Sequence, residues 1–195
     1  MHSIQSVAVY CASSSQVRQA FFGQAFRLGK LLAEAGIRLV YGDGSIGLMG
    51  EISRGALESG GEVVGVIPRF MVEQGWNNPR STRTFVVETM HERKAMIEKM
   101  ADAMVALPGG IGTMEELLEC LTWKQLGLHT KPVVILNIDG YFDQLLAFID
   151  KMVDERMIRS IHKNMFTVVT SADDVIPALQ AMPAWDASVR REAAI

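Results

Sequence analysis

The chain predicts an α/β fold, a single doubly wound domain in which a mainly parallel sheet is flanked by helices on both faces. Three observations predict it. Short apolar runs of strand length alternate with helical patterns from end to end, the mark of crossover connections over a parallel sheet. No long linker or low-complexity segment breaks the alternation. The 195 residues, 49% apolar and 21% charged, suit one folded domain with a core of its own. We therefore expect a catalytic or binding domain over residues 1–181 and a loosely ordered tail over 182–195, with Trp185 able to dock on the body or on a partner.

In chain order, Ser6 to Cys11 reads as the first strand, followed by the polar turn Ser13 to Ser15. Phe22, Ala25, Phe26, Gly29 and Leu32 recur on one side of a helix that stops near Gly36. Ile37 to Tyr41 is the second strand, and the loop Gly42 to Gly47 launches a helix to about Ser59. Glu62 to Ile67, closed by Pro68, is the third strand. Val72 to Thr82, rich in Asn, Gly and Pro, reads as a surface loop with the character of a lid. Arg83 to Val87 is a strand and Met90 to Met100 a helix. Ala103 to Leu107 has the look of a buried central strand, and the helix after it carries Met114, Leu117, Leu118 and Leu121 at i, i+3, i+4 and i+7. Lys131 to Leu136, a helix from Phe142 to about Glu155, Phe166 to Val169, and a helix from Ala172 to Ala181 complete the pattern.

Composition excludes several classes. A formal net charge of -3 gives no electrostatic reason to expect nucleic acid or an acidic membrane, and the basic residues lack the aromatic interleaving of a nucleic-acid platform. Cys11 and Cys120 have no metal-ligand spacing and read as small buried hydrophobes, so no metal is expected. His2, His91, His129 and His162 are scattered, and most of the methionines serve as core filler. No run is long enough to cross a bilayer and no secretory leader is evident, so a cytoplasmic protein is the default.

The chemistry concentrates at Pro108 to Glu116, PGGIGTMEE, where a strand meets a helix through Gly109, Gly110 and Gly112. The first amides of a helix lack internal partners and carry partial positive charge, so a phosphate is a natural guest. Any sharp strand-to-helix connection also uses glycine, which leaves a structural reading open. Thr113 and Glu116 have the spacing of a capping box, and Glu115 is favoured by the helix dipole alone. If a phosphate occupies the amides, however, the Glu116 carboxylate has to face the rest of the ligand, where a glycosidic cleavage needs negative charge against an oxocarbenium-like transition state. Arg93 and Lys94 lie at a helix start, against the dipole preference, which suits a ligand anion or a solvated face.

The second glycine loop, Gly42, Gly44 and Gly47, has the G-x-G-x-x-G spacing of a dinucleotide fingerprint. Glu62 stands at the wrong end of its strand to hold a ribose, and Asp43 would repel a pyrophosphate unless it points away. That argues against NAD and for a turn that lets strand and helix pack closely. Neither glycine turn is a P-loop, and no G-x-S-x-G elbow is present. The Ser13 to Ser15 hydroxyls suit either a phosphate or a helix cap.

Together, YGDGSIGLMG at Tyr41 to Gly50, MHERK at Met90 to Lys94, PGGIGTMEE, and the run from Leu121, Thr122 and Trp123 to Asn137 resemble the LOG family. These are cytokinin riboside 5'-monophosphate phosphoribohydrolases, whose relatives often carry a lysine decarboxylase label. The resemblance implies a Rossmann-like homodimer that hydrolyses the N-glycosidic bond of an adenine-type nucleoside 5'-monophosphate, releasing base and ribose 5-phosphate without cofactor. It implies Arg93 and Glu116 as catalytic residues, and Lys94, Gly109, Gly110, Gly112 and Thr113 as substrate-binding; Ser14, Glu115 and Thr122 are further expected substrate contacts. Asp43 and Ala12 replace glycines usual in relatives and bear on base preference or affinity. A non-catalytic nucleotide binder is the competing class, and an NAD-dependent oxidoreductase the third.

Overall fold

The computed structural model describes residues 4–188. In chain order the elements are β1 (Ser6–Tyr10), α1 (Gln19–Glu34), β2 (Arg38–Tyr41), α2 (Gly47–Glu58), β3 (Val63–Pro68), α3 (Arg69–Glu73), β4 (Arg83–Val87), α4 (Met90–Met100), β5 (Ala103–Ala106), α5 (Ile111–Gln125), β6 (Val133–Leu136), α6 (Asp143–Asp154), β7 (Thr167–Val169) and α7 (Val175–Ala181). The seven strands form one sheet in the order β4-β3-β2-β1-β5-β6-β7. Every neighbouring pair is parallel, with Val7 of β1 opposite Leu39 of β2 on one side and Ala103 of β5 on the other.

The strands are apolar through and through because both faces are covered. One core packs Leu28 and Leu32 of α1, Ile52 of α2 and Leu179 of α7 against the sheet. The other packs Ile97 of α4, Leu117 and Leu121 of α5 and Phe142 against the opposite face. The chain winds outward from β1 to β4, then returns to β5 beside β1 and winds to the other edge. That reversal places a switch point between β1 and β5, where the carboxyl-end loops diverge and leave a crevice.

Two expectations need correction, and the tail shows the docking expected of Trp185. Of the four apolar residues placed on one face of α5, Leu118 is 41% exposed, while Cys120 and Lys124 are buried in its place. The stretch Val72 to Thr82 is less irregular than its composition suggests. Its first residues belong to α3, and Gly44 and Asn77 form an isolated antiparallel bridge. The tail packs as far as Trp185, whose ring is buried and whose Nε1 donates to the Lys124 carbonyl at 2.9 Å. His2 and residues 189–195 of the tail lie outside the described residues. Among the described residues no helix is long and apolar enough to cross a membrane.

Candidate active site

The switch-point crevice opens into a cavity of about 580 Å³, within the range of small-ligand sites. Its floor comes from the loop after β1 (Cys11, Ala12, Ser13), one side from the loop after β2 (Gly42, Gly44, Ser45), and the other from the start of α5 (Gly110, Gly112, Thr113). Arg93 from α4 and Glu116 from α5 both line it, although they stand on different helices and 23 residues apart. Met71 and Trp76, from α3 and the turn after it, form part of an apolar wall.

The start of α5 rules out the capping-box reading of Thr113 and Glu116. Gly110 is the N-cap, in an extended conformation (φ -85°, ψ -157°), and no side chain caps the helix. Thr113 is already the third helical residue, so it and Glu116 form no capping box. The box with that spacing lies instead at α4, where Thr89 Oγ1 accepts from the Glu92 amide at 3.1 Å and Glu92 Oε2 accepts from the Thr89 amide at 3.3 Å. Glu116 is thereby released from holding its own helix end. The leading amides of α5 have no side-chain acceptor and present the positive end of a 15-residue helix to the cavity.

Arg93 is 5% exposed. Its Nη2 donates to the Gly42 carbonyl at 3.0 Å and its Nε to the Val66 carbonyl at 3.2 Å. A Cβ on Gly42 would lie 1.7 Å from Nη2, so the first glycine of the G-x-G-x-x-G loop makes room for this guanidinium. Gly47 has φ +65° and sits against the Ala12–Ser14 backbone, where Leu48 and Met49 donate to the Ala12 carbonyl. These glycines thus answer to close packing, as expected. The Asp43 side chain points away from the cavity, buried, with Oδ1 accepting from Ser81 Oγ at 2.6 Å and Oδ2 from Thr84 Oγ1 at 3.1 Å.

Glu116 is 8% exposed, and among the described residues no hydrogen bond or ion pair takes up its carboxylate. Burial pushes the carboxyl up to about 7, against the pull of the Arg93 guanidinium, with the Glu115 carboxylate adding to the rise. Lys94 sits behind it. Its ammonium donates to Glu119 at 3.0 Å and also to Glu115. Burial opposes that charge, and the two carboxylates more than offset it, holding the ammonium above its ordinary range. Burial also pushes the Cys11 thiol well up, which favours the neutral thiol over the thiolate at the cavity.

Of the predicted site residues, Arg93, Glu116, Glu115, Gly110, Gly112 and Thr113 come together around the cavity. Gly109 lies one step behind the wall, its Cα covered by the Thr113 side chain, which a Cβ would meet at 2.1 Å. Lys94 does not line the cavity. Ser14 is exposed beside the lining Ser13, and its Oγ accepts from the Gln16 amide at 3.1 Å. Thr122 is exposed, lies outside the cavity and donates to the Leu118 carbonyl at 2.7 Å.

Residues 49–179 match the family described as "Possible lysine decarboxylase". The chain is 44% identical over 174 residues to cytokinin riboside 5'-monophosphate phosphoribohydrolase LOG2 of Arabidopsis thaliana, covering 89% of this chain and 82% of that one. The chain belongs to the LOG family. It is also 41% identical over 187 residues to the rice (Oryza sativa subsp. japonica) enzyme LOG, covering 92% and 77% of the two chains. Among solved structures, the fold matches the molybdenum cofactor binding protein of Rippkaea orientalis (TM-score 0.70, 20% identity, 90% and 95% covered). The molybdenum cofactor carrier protein of Chlamydomonas reinhardtii matches with TM-score 0.70, 22% identity, and 91% and 96% covered. At these identities the likeness concerns the fold.

The decarboxylase in the family's description would need a lysine to hold pyridoxal phosphate. The residues of this LOG-family chain do not fit that group: no lysine lines the cavity, Lys94 is engaged by carboxylates, and Lys124 points at the Lys131 carbonyl (2.8 Å) under Trp185. What sequence reasoning missed is the apolar wall. Trp76 falls in the stretch read as a lid and Met71 just before it, in α3, and the signal was a tryptophan in a polar loop. Because Gly42 exists to admit Arg93, Gly42→Ala is expected to displace the guanidinium and lower kcat/KM about tenfold or more while the protein still folds. Steady-state kinetics beside a thermal melt checks this.

Proposed function

We propose that this protein hydrolyses the N-glycosidic bond of cytokinin riboside 5'-monophosphates or AMP, releasing free base and ribose 5-phosphate. One observation carries the reading: a buried carboxyl with its pKa raised to about 7 shares a cavity with an uncapped helix N-terminus and a guanidinium. The phosphoribohydrolase names of relatives at 41–44% identity support it.

In this reading the Gly110, Gly112 and Thr113 amides and the Thr113 hydroxyl hold the 5'-phosphate, helped by a serine of the Ser13–Ser15 loop. The fixed amides place the ribose toward Glu116. Arg93, held on two main-chain oxygens, orients the ligand and balances the charge that accumulates between phosphate and carboxylate. As the C1'–N bond breaks, positive charge develops on the ribose and the Glu116 carboxylate faces it. A carboxyl with pKa about 7 is matched to taking a proton from the attacking water at neutral pH. The base leaves toward the apolar wall of Met71 and Trp76 with the electron pair of the C1'–N bond, and takes up on nitrogen a proton from the water or from the protonated Glu116. The water's remaining OH ends on C1'. Lys94, one layer back, and Glu115, on the cavity wall, set the charge around Glu116.

The homodimer belongs to the same proposal. Ile111, at the cavity rim, and Leu118 of α5 are 87% and 41% exposed, and Leu126 just after the helix 44%, with Thr122 between the last two. A second copy covering these residues brings Thr122 and Glu115 to the subunit boundary. A cytoplasmic setting fits the two free, buried cysteines.

Incubation with AMP and with its N6-isopentenyl analogue, followed by chromatography, is expected to show free base and ribose 5-phosphate. No release from any purine or pyrimidine monophosphate would sink the enzyme reading. A thermal shift with nucleotide but no product would favour a carrier or sensor.

A further inference from the structure

We propose that Tyr141 is a positioning residue for the phosphate: its hydroxyl fixes the peptide unit that aims the Gly110 amide into the cavity. The proposal rests on the phosphoribohydrolase reading above. Tyr141 lies outside the cavity lining, in the connection between β6 and α6. Its Oη donates to the Gly109 carbonyl at 2.6 Å.

That carbonyl and the Gly110 N–H belong to one planar trans peptide unit, in which the two groups point in opposite directions. Holding the oxygen on the Tyr141 side therefore turns the N–H toward the opposite side, where Gly110 lines the cavity. The Gly110 amide has no protein acceptor among the described residues. A glycine pair has little reason of its own to keep one peptide orientation. The neighbouring anchors do not set it either: the Pro108 carbonyl accepts from Ala12, and Thr113 covers the Gly109 Cα.

The connection is built to present this hydroxyl. Asp139 (φ 51°) and Gly140 (φ 71°) take two successive left-handed conformations, and Asn137 ties the turn by accepting from the Phe142 amide at 2.7 Å and donating to Asp143 at 2.7 Å. The Tyr141 ring stands edge-on between Phe21 (5.7 Å) and Phe142 (5.1 Å), which limits its swing. A half-exposed tyrosine on a strained turn, wedged by two rings and aimed at one glycine carbonyl, is more than surface filler requires.

Tyr141→Phe removes only the oxygen. It is expected to weaken ribose 5-phosphate binding about tenfold and raise KM for AMP by a similar factor, with kcat within about twofold, the size of one lost hydrogen bond. Adenosine, which lacks the phosphate, is expected to bind both proteins equally. Phe142→Leu loosens the same connection but keeps the hydroxyl, and is expected to leave ribose 5-phosphate affinity within about twofold. Unchanged ribose 5-phosphate affinity in Tyr141→Phe, equal weakening toward adenosine, or equal loss in Phe142→Leu overturns the proposal. An unaltered protein that binds neither AMP nor ribose 5-phosphate overturns the functional reading itself, and is recognised by the missing wild-type signal.

Discussion

Glu116→Gln is expected to lower kcat by about 10³-fold while nucleotide binding stays within a few-fold, because the amide keeps the shape but neither carries the charge nor accepts the proton. Single-turnover assays and calorimetric titration with AMP separate the two quantities. The same variant is expected to be more stable than the parent above neutral pH. The folded carboxyl titrates at about 7 against an ordinary 4.5, so the folded state binds the proton more tightly. Ionising Glu116 therefore costs stability, a cost absent below pH 4.5, growing between 4.5 and 7, and complete above. Replacing it lifts Tm by about 3 °C at pH 8, on the scale expected for a chain of this size, and the gain vanishes in acid. A helix-capping Glu116 would give the reverse: retained turnover and a lower Tm. In the parent, kcat/KM is expected to rise with pH through an acid limb near 7.

Arg93 yields the second large effect, and two substitutions divide it. Arg93→Lys keeps the charge but cannot donate to the Gly42 and Val66 carbonyls along two directions of a rigid fork. It is expected to lose about 10²-fold in kcat/KM, with the acid limb still near 7. Arg93→Ala removes the guanidinium that pulls the Glu116 carboxyl down, so the limb moves above 7 as the rate falls further. Equal pH profiles for the two variants would show that Arg93 acts on shape alone. Both effects are read from one pH series at saturating and at low substrate.

Most of the fold was legible because each strand is a short apolar run closed by glycine, proline or a polar turn. Strand order was not, since Tyr10 and Ala106 become neighbours through a crossover that no local pattern records. The site shows the same division. Arg93 and Glu116 were named from motifs, but the S/T-x-x-E spacing occurs at both Thr89 and Thr113, and only the actual helix start tells which of the two is a cap. Asp43 looked like a repulsive charge in a phosphate loop. Its left-handed backbone (φ 59°) instead turns the carboxylate into a buried hydroxyl cluster. Lys94 was named as a nucleotide contact through the family resemblance, and its long side chain reaches two glutamates of the neighbouring helix. Long charged side chains choose partners across space, and one-dimensional spacing cannot anticipate the choice.

The anchoring of Arg93 on two main-chain oxygens has an evolutionary consequence. A charge held by side chains can drift whenever one of them mutates, whereas this one is tied to the path of the chain itself at Gly42 and Val66. Met71 and Trp76, across the cavity, carry no such duty. Descendants of this sequence can remodel that wall while keeping the placement of Arg93, so the shape of the cavity and the position of its charge are free to diverge at separate rates.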